Sequence, residues 1–242
     1  MSLQIKQLHH SFGKKKVLEN ISFTVEQGEF VSIIGPSGSG KSTLFHVIGG
    51  ILTPESGQII LNGDEITNET GHMSYMPQNA SLFPWRTVVK NAMLQSDLSG
   101  KESEHQAIEL LKKANLGEMI HAYPHQLSGG MKQRVAFVRA LLSPQRLICL
   151  DEPFSALDSF TRKDMHQWLL KTWEEYDQSI LFITHDIEEA LFLSDKIIVL
   201  STNPARVKAE IKVPFKRPRS EELYLSEEFL EWRRKVVRVL EE

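Results

Sequence analysis

Hydrophobic and polar residues alternate with the two-residue period of a β-strand over residues 3–8 and again over 17–33. Two turn-like stretches, SFGKKK and EQGE, interrupt this alternation. A further β-like segment follows in SGQIILNGDEI, where Asn62-Gly63 separates two short runs and predicts a hairpin. The first part of the chain is therefore predicted to contain antiparallel β structure.

Continuous apolar runs predict a second kind of strand, one that is buried on both faces. These runs are FVSII, LICL, SILFI and KIIVL, at residues 30–34, 147–150, 179–183 and 196–200. Helix-period segments follow the first three runs, and such alternation of strand and helix indicates a mostly parallel sheet covered by helices. The predicted class is α/β, with a mostly parallel core sheet, an antiparallel β subdomain and an inserted α-helical subdomain.

The helix-period pattern also suggests how the domain is divided. From about residue 86 to 143 the segments have helical periods and few β-branched residues, so we predict an inserted helical subdomain there. The core then comprises residues 1–85 and 144–213, which makes 1–213 a single domain. Residues 214–242 are predicted as a linker, PFKRPRS, followed by a terminal helix that starts with a capping box of Ser226 and Glu228.

Composition narrows the possible functions. The chain has 242 residues, 41% hydrophobic and 24% charged, with a net charge of −3, so a general nucleic-acid binder is not expected. Its one cysteine, Cys149, lies in an apolar run and allows no disulfide framework. The first residues lack the apolar segment of a signal peptide, and no apolar run approaches the length of a membrane-spanning helix. Any membrane role is therefore expected to come through a partner.

A phosphate-binding loop is the first candidate site. The stretch GPSGSGKST fits the pattern G-x-x-x-x-G-K-[ST] directly after a predicted strand and before a predicted helix. Its glycines allow backbone N–H groups to converge on phosphate oxygens, Lys41 is expected to reach the β and γ phosphates, and the Ser42 hydroxyl can ligate Mg²⁺. The predicted ATP-binding residues are Gly35, Pro36, Ser37, Gly38, Ser39, Gly40, Lys41, Ser42 and Thr43.

Polar residues also follow two other buried strands. Asp151 and Glu152 come directly after LICL, and His185 ends SILFITH. Asp151 suits a Mg²⁺ position, and Glu152 lies where it could act as the general base for an attacking water. Ligands of parallel sheets gather at the carboxyl ends of the strands, which favours a functional histidine over a structural one. The alternative is that these strands end in solvated side chains.

A second candidate phosphate site is LSGG at residues 127–130, which opens a basic helix. Free N–H groups at a helix N-terminus bind oxyanions. If this segment lies on the helical subdomain, it is too remote from its own P-loop, and a second copy related by a two-fold axis would bring it to the other copy's ATP. The alternative interpretation is a capped helix with a flexible start.

Taken together, these motifs resemble the ATP-binding subunits of ABC transporters over roughly residues 3–215. GPSGSGKST resembles the Walker A loop, MPQ the Q-loop, LSGGMKQR the ABC signature, LICLDEP the Walker B strand and SALD the D-loop. The resemblance implies a P-loop NTPase fold of the RecA-like type, with ATP and Mg²⁺ as ligands and ATP hydrolysis as the activity.

The resemblance also assigns roles to residues. It places Gln78 at Mg²⁺ and the attacking water, His185 as the switch histidine and Phe12 against adenine. Phe12 stands where the family usually has tyrosine. It further implies a D-loop residue, Asp158, and a set that binds the partner's ATP, namely Ser128, Gly129, Gly130 and Gln133.

Within the family, LFPWRTVVKN and LDEPFSALDSFTR resemble an importer group that serves nitrate, alkanesulfonates, taurine or thiamine pyrimidine precursors. This implies a homodimer at the cytoplasmic face of the membrane, bound to permease subunits and working with an extracytoplasmic solute-binding protein. Leu82, Phe83 and Trp85 are the residues we expect near the permease.

Several other functions share some of these features. The ATPase of an exporter or of a lipoprotein-release system differs only in the subgroup resemblance around Trp85. Soluble ABC ATPases that act on nucleic acid or ribosomes carry long coiled-coil insertions or usually two cassettes per chain, which this sequence does not show. A small-molecule kinase would leave LSGGMKQR unexplained, and a non-catalytic module would be expected to lack Lys41, Glu152 or His185.

Overall fold

A computed structural model describes residues 2–94, 104–176 and 178–242. Residues 95–103 of the predicted helical subdomain, and residue 177 in the helix-period segment that follows LICL, lie outside the described residues. The strands are β1 Leu3–Phe12, β2 Lys15–Val25, β3 Phe30–Ile34, β4 Ser56–Leu61, β5 Asp64–Glu65, β6 Ser74–Met76, β7 Leu147–Asp151, β8 Ser179–Ile183, β9 Lys196–Leu200 and β10 Val207–Lys212.

The larger sheet has the order β10-β9-β3-β8-β7-β6 among the described residues. Its pairs are parallel from β9 through to β6, and only the edge strand β10 runs antiparallel to its neighbour. The prediction of a mostly parallel core sheet is therefore confirmed. Strands β3, β7 and β8 are fully buried, as their continuous apolar runs indicated. Strands β6 and β10 were not predicted.

The smaller sheet is antiparallel and has the order β2-β1-β4-β5 in the part of the chain that the structure describes. The hairpin between β4 and β5 is confirmed by the pairing of Leu61 with Asp64. Asn62 and Gly63 have φ values of 58° and 96°, the left-handed conformation that this two-residue turn requires. The alternation over residues 17–33 is divided, because β2 ends at Val25 and β3 belongs to the other sheet.

Helices cover both faces of the larger sheet and form a separate lobe. They are α1 Lys41–Ile48, α2 Val88–Ala92, α3 Glu104–Lys113, α4 Gly129–Leu141, α5 Ser159–Trp173, α6 Ile187–Leu193 and α7 Glu227–Glu241. Helices α2, α3 and α4 share an apolar cluster that includes Val88, Leu111 and Val138. Such a cluster supports the proposed helical subdomain, and Leu82 contacts both this cluster and the core. None of the described helices has the length and apolarity that crossing a bilayer requires.

Residues 214–220, predicted as a linker, are packed against the core. Phe215 and Arg219 are buried. The Arg219 guanidinium donates to the carbonyl oxygens of Phe215 at 2.8 Å and Phe192 at 2.7 Å, which fixes the segment to the end of α6. A short 3-10 helix, Glu221–Leu225, then leads into α7.

The start of α7 differs in detail from the prediction. Ser226 is the N-cap, and its hydroxyl accepts from the backbone N–H of Phe229 at 3.1 Å. The reciprocal half of a capping box needs Glu or Gln at the third helical position, which Phe229 occupies. The capping box of Ser226 with Glu228 is therefore wrong, although the helix and its serine cap are confirmed.

Candidate functional site

The glycine-rich loop connects β3 to α1, as its sequence context predicted. Gly38 and Gly40 have φ values of 75° and 87°, a backbone conformation that residues with a Cβ rarely adopt. A Cβ on Gly40 would also lie 2.9 Å from Cγ1 of Val17. Both the turn and the close packing therefore require glycine at position 40, and the loop can present its N–H groups without obstruction.

Lys41 is held inside this loop. Its ammonium donates to the carbonyl oxygens of Gly35 at 2.9 Å and Pro36 at 3.0 Å. Burial lowers the pKa of Lys41, while the nearby carboxylates of Glu152 and Asp151 act to raise it. Lys41 is itself buried and therefore supplies a positive charge at a fixed point of the loop, where reduced solvation strengthens its interaction with anions.

Asp151, at the end of β7, is buried and contacts the loop directly. The Ser42 hydroxyl donates to its Oδ1 at 3.3 Å, and the Tyr75 hydroxyl donates to its Oδ2 at 3.1 Å. Burial raises the pKa of Asp151, and these two hydrogen bonds act in the opposite direction. The sequence analysis missed Tyr75. The available signal was its place in β6, three residues before Gln78, but β6 itself was not predicted.

Glu152 and His185 meet at the ends of neighbouring strands. The imidazole Nδ1 of His185 lies 3.1 Å from Oε2 of Glu152, and the histidine side chain is 61% exposed. Glu152 has a left-handed φ of 43°, and its backbone N–H donates to the carbonyl of Ile183 at 3.0 Å. A non-glycine residue in this conformation is strained, and such residues concentrate at functional sites. The backbone therefore holds the Glu152 carboxylate against His185.

One cleft of about 490 Å³ joins most of these residues. Phe12, which is 52% exposed, lies in the lining together with Gln78, Asp151 and Glu152. The lining also contains Asn203, which the sequence analysis missed, and the loop residues Ser37, Gly38, Ser39, Gly40, Lys41, Ser42 and Thr43. An aromatic ring, a loop of N–H donors, a lysine and two carboxylates thus face one space, which suits a nucleotide with a phosphate chain.

Gln78 connects the cleft to the helical lobe. Its side-chain amide donates to the Ser155 hydroxyl at 3.0 Å. Its backbone carbonyl accepts from the side-chain amide of Gln133 at 3.0 Å. Gln133, which the resemblance assigned to the partner's ATP, is only 5% exposed. Its side-chain amide links α4 to residue 78 of its own chain, and the contact of Gln133 with the partner's ATP stays a prediction.

The LSGG segment lies outside the cleft. Residues 127–133 are all described, and none of them is part of the cleft lining. Ser128 caps α4, with its hydroxyl accepting from the N–H of Met131 at 3.3 Å. Gly129 is exposed, whereas a Cβ on the buried Gly130 would lie 2.8 Å from Cγ2 of Thr161. The helix N-terminus is therefore not part of the cleft that the chain's own phosphate-binding loop lines.

Asp158 begins α5. One of its carboxylate oxygens accepts from the N–H of Phe160 at 3.1 Å and of Thr161 at 3.0 Å. Hydrogen bonds from the Thr161 hydroxyl and N–H lower the pKa of Asp158. This predicted D-loop residue therefore fixes the exposed start of α5 as an N-cap.

Leu82, Phe83 and Trp85 differ in their environments. Leu82 is partly buried between the core and the lobe, whereas Trp85 is 71% exposed with its ring 5.1 Å from that of Phe83. The buried Asn91 holds this loop, because it accepts from the N–H of Phe83 at 2.7 Å and donates to the carbonyl of Arg86 at 2.9 Å. Asn91 was missed by the sequence analysis. Of the three predicted residues, Trp85 is the one that presents a large apolar surface to solvent.

The chain is similar in sequence to known proteins. The sequence profile of the family "ABC transporter" matches residues 18–155. The chain is 40% identical over 245 aligned residues to an aliphatic sulfonates import ATP-binding protein of Bacillus cereus, covering 100% of this chain and 96% of that protein. It is 42% identical over 218 residues to a taurine import ATP-binding protein of Escherichia coli, covering 89% and 86%.

A solved structure is also similar. It is a dimeric ATP-binding cassette in a post-hydrolysis state, bound to ADP and Pi. The two chains superpose with a TM-score of 0.74 at 31% sequence identity, over 88% of this chain and 100% of the other.

Proposed function

This chain belongs to the ABC transporter family and is an ATP-binding, ATP-hydrolysing subunit of such a transporter, and from that premise we propose that it drives uptake of a small sulfonate. The observation that carries the ATPase part is the convergence of Lys41, Asp151 and Glu152 on one cleft at the ends of parallel strands. Support for the cargo comes from two relatives that are import ATP-binding proteins, one for aliphatic sulfonates and one for taurine.

The proposed reaction is in-line hydrolysis of the terminal phosphate of ATP. Phe12 stacks on adenine, and the N–H groups of the glycine-rich loop with Lys41 hold the phosphates. A water attacks the γ phosphorus as the bond to the bridging oxygen breaks, and ADP leaves with that electron pair. Glu152 accepts the proton that the water loses, and His185, 3.1 Å away, orients the Glu152 carboxylate.

The donor set beside the loop fits Mg²⁺. Ser42 and Asp151 place a hydroxyl and a carboxylate oxygen 3.3 Å apart, and hard oxygen ligands of this kind are what Mg²⁺ prefers. Gln78 is the third residue that we assign to this position. When bound, the ion neutralises charge on the β and γ phosphates.

Two copies are proposed to act together. The similar cassette was solved as a dimer, and the LSGG segment lies outside its own chain's cleft. In a two-fold dimer, Ser128, Gly129 and Gly130 of each copy would meet the γ phosphate held by the other copy, and Asp158 would lie near the same seam. ATP binding then favours the closed dimer, because the nucleotide contacts both copies only in that state.

Import requires partners in the membrane. We propose that two permease subunits bind on the cytoplasmic side at the surface around Trp85, with Leu82 and Phe83 supporting it, and that an extracytoplasmic solute-binding protein delivers the cargo. This places the chain at the cytoplasmic face of the membrane. A direct role for nucleic acid is not part of the proposal, and the exporter alternative is not favoured because the named relatives are import subunits.

The proposal is tested by purifying the tagged chain from detergent-solubilised membranes of its host and identifying its partners by mass spectrometry. The expected result is a polytopic permease and a solute-binding protein whose affinity for taurine and alkanesulfonates exceeds that for phosphate and sulfate. A permease with a large extracytoplasmic domain and no binding protein would contradict import. A binding protein that prefers another solute would contradict only the cargo.

A further inference from the structure

A buried polar network lies next to the cleft and has no part in the reaction proposed above. It consists of Thr184, Glu189, His166 and Tyr224. The first three residues are 2%, 5% and 3% exposed. A carboxylate is costly to bury unless it is well hydrogen-bonded, and replacing such groups by apolar ones is often stabilising. Stability alone therefore does not account for this network.

The hydrogen bonds of the network converge on the Glu189 carboxylate. The Tyr224 hydroxyl lies 3.1 Å from Nδ1 of His166, and Nε2 of His166 lies 3.3 Å from Oε1 of Glu189. The Glu189 carboxylate can only accept, which favours the tautomer with the proton on Nε2, and Nδ1 of that tautomer accepts from the Tyr224 hydroxyl. His166 then donates through Nε2 to Glu189, whose other oxygen accepts from the Thr184 hydroxyl at 2.5 Å.

The far end of the network is the backbone on either side of His185. Thr184 precedes His185, and its hydroxyl accepts from the backbone N–H of Asp186 at 3.0 Å, so the one side chain spans the histidine. The His185 side chain itself is 61% exposed, and its hydrogen bond is to Glu152. The hydrogen bonds of Thr184 therefore fix the backbone from which the imidazole extends toward Glu152.

The other end of the network, Tyr224, belongs to the C-terminal segment. Tyr224 lies in the 3-10 helix Glu221–Leu225, and its ring stacks on that of Phe192 with centroids 4.6 Å apart. The guanidinium of Arg219 anchors the same segment to the carbonyl of Phe192. Tyr224 is thus held firmly enough to orient His166.

We propose that Tyr224 is a positioning residue for His185, acting through His166, Glu189 and Thr184, and that the C-terminal segment thereby sets the rate of ATP hydrolysis. This inference rests on the function proposed above for His185. The hydroxyl of Tyr224 fixes the ring of His166. That ring fixes the carboxylate of Glu189, which in turn holds the Thr184 hydroxyl and the backbone that carries His185.

The test is the ATPase rate of the full chain with Tyr224→Phe, which removes one hydroxyl and keeps the stacked ring. The expected kcat is about fivefold lower, the effect of one typical hydrogen bond, with KM for ATP unchanged. Tyr176→Phe is the matched control, a half-buried tyrosine remote from the network, and its kcat is expected to stay at the wild-type value. A purely structural role for Tyr224 would not separate kcat from KM in this way.

A double-mutant cycle with His185→Ala tests whether Tyr224→Phe lowers the rate of ATP hydrolysis through His185. In single-turnover measurements, Tyr224→Phe should lower the rate of the wild type about fivefold and leave the rate of His185→Ala unchanged. Thr184→Val should behave like Tyr224→Phe, and Thr184→Ser, which keeps the hydroxyl, should restore the rate.

The outcomes separate the two proposals. If His185→Ala hydrolyses ATP at the wild-type rate, the role proposed for His185 fails and this inference fails with it. If His185→Ala is slow but Tyr224→Phe has no effect, or has an effect that multiplies with that of His185→Ala, only the network inference is overturned.

Discussion

At the scale of single residues, the site depends on a few side chains whose environment is unfavourable for the charge they carry. Asp151 is buried beside a loop of phosphate-binding N–H groups, and Glu152 occupies a left-handed backbone position. Neither arrangement helps the chain to fold. Both are explained if these carboxylates are placed for chemistry rather than for stability.

Replacing Glu152 by Gln tests its role as the general base. The amide keeps the size and the hydrogen bond to His185 but cannot accept a proton, so kcat for ATP hydrolysis should fall by about 10² or more while ATP affinity is retained. Phosphate release and equilibrium binding of a fluorescent ATP analogue measure the two quantities. Glu222→Gln, in the C-terminal segment, is the control; turnover by Glu152→Gln at the wild-type rate would remove Glu152 from this role.

Replacing Asp151 by Asn should stabilise the protein while it impairs turnover. Burial raises the pKa of Asp151 above its value in the unfolded chain. Between these two pKa values the unfolded state binds fewer protons than the folded state, so the free energy of unfolding falls as pH rises through that range. At pH 7 the ionised carboxylate therefore opposes folding, and Asp151→Asn should raise Tm by roughly 2–4 °C, the shift that about 1 kcal/mol gives in a domain of this size.

Calorimetry in EDTA measures this difference. The gain in Tm should shrink as pH is lowered through the folded-state pKa of Asp151, because the wild-type carboxyl is then neutral as well. Asp64→Asn, at an exposed carboxylate in β5, should leave Tm nearly unchanged. A lower Tm for Asp151→Asn at pH 7 would show that the hydrogen bonds to Ser42 and Tyr75 outweigh the cost of burial.

At the scale of elements, the buried Arg219 is one of the contacts that join the C-terminal segment to the core. Arg219→Met would leave the carbonyls of Phe215 and Phe192 without their donor, at a cost of about 3 kcal/mol in the free energy of unfolding. Urea unfolding measures this change. Arg206→Met is the control, because Arg206 is exposed and pairs with Glu19 at the surface, and its effect should be much smaller. Equal effects of the two variants would contradict the anchoring role.

The elements that the sequence predicted well are those with strong local patterns. The apolar runs of β3, β7 and β8 and the turn at Asn62-Gly63 depend on residues close in sequence. Strand β6 was missed because three residues show no period. Strand β10 was missed although VKAEIK alternates with the two-residue period of a strand. The packing of residues 214–220 was missed because it depends on contacts with α6, about 25 residues earlier in the chain.

The same distinction between local patterns and contacts made only in the folded chain applies to the candidate site. Lys41, Asp151, Glu152 and His185 follow strand ends, so topology alone brings them to one edge of the sheet. Tyr75 and Asn91 act through hydrogen bonds to residues whose position only the folded chain defines, and neither was predicted. Gln133 belongs to the signature motif, but its hydrogen bond to residue 78 likewise depends on the fold. Motif and topology therefore predict the reacting groups better than the groups that hold them.

At the scale of the whole molecule, the arrangement of two copies can be tested at one glycine. A Cβ on Gly129 would lie 3.6 Å from the nearest atom, so the folded chain has room for a side chain there. Gly129→Asp also places a negative charge at the start of α4, which suits that helix N-terminus. Opposite the partner's γ phosphate, the same charge is repulsive. The variant should therefore fold normally and lose the ATP-driven dimer.

Light scattering after size exclusion, with ATP, compares Glu152→Gln with the double variant Glu152→Gln/Gly129→Asp. The first should be dimeric and the second monomeric, with ATP binding retained in both. Gly117→Asp in the same background is the control, since it adds an equal charge elsewhere on the helical lobe and should leave the dimer intact. A stable dimer of the double variant would contradict the placement of the LSGG segment at the partner's ATP.

The edge strand β10 limits the ways in which such copies can associate. Its exposed positions carry Lys208, Glu210 and Lys212, alternating with the partly buried Val207, Ala209 and Ile211. Charged side chains along a sheet edge disfavour the addition of a strand from another molecule. Continuation of the sheet from one chain into the next is therefore suppressed at this edge, so an open-ended filament is disfavoured while a closed pair that meets across the nucleotide clefts remains possible.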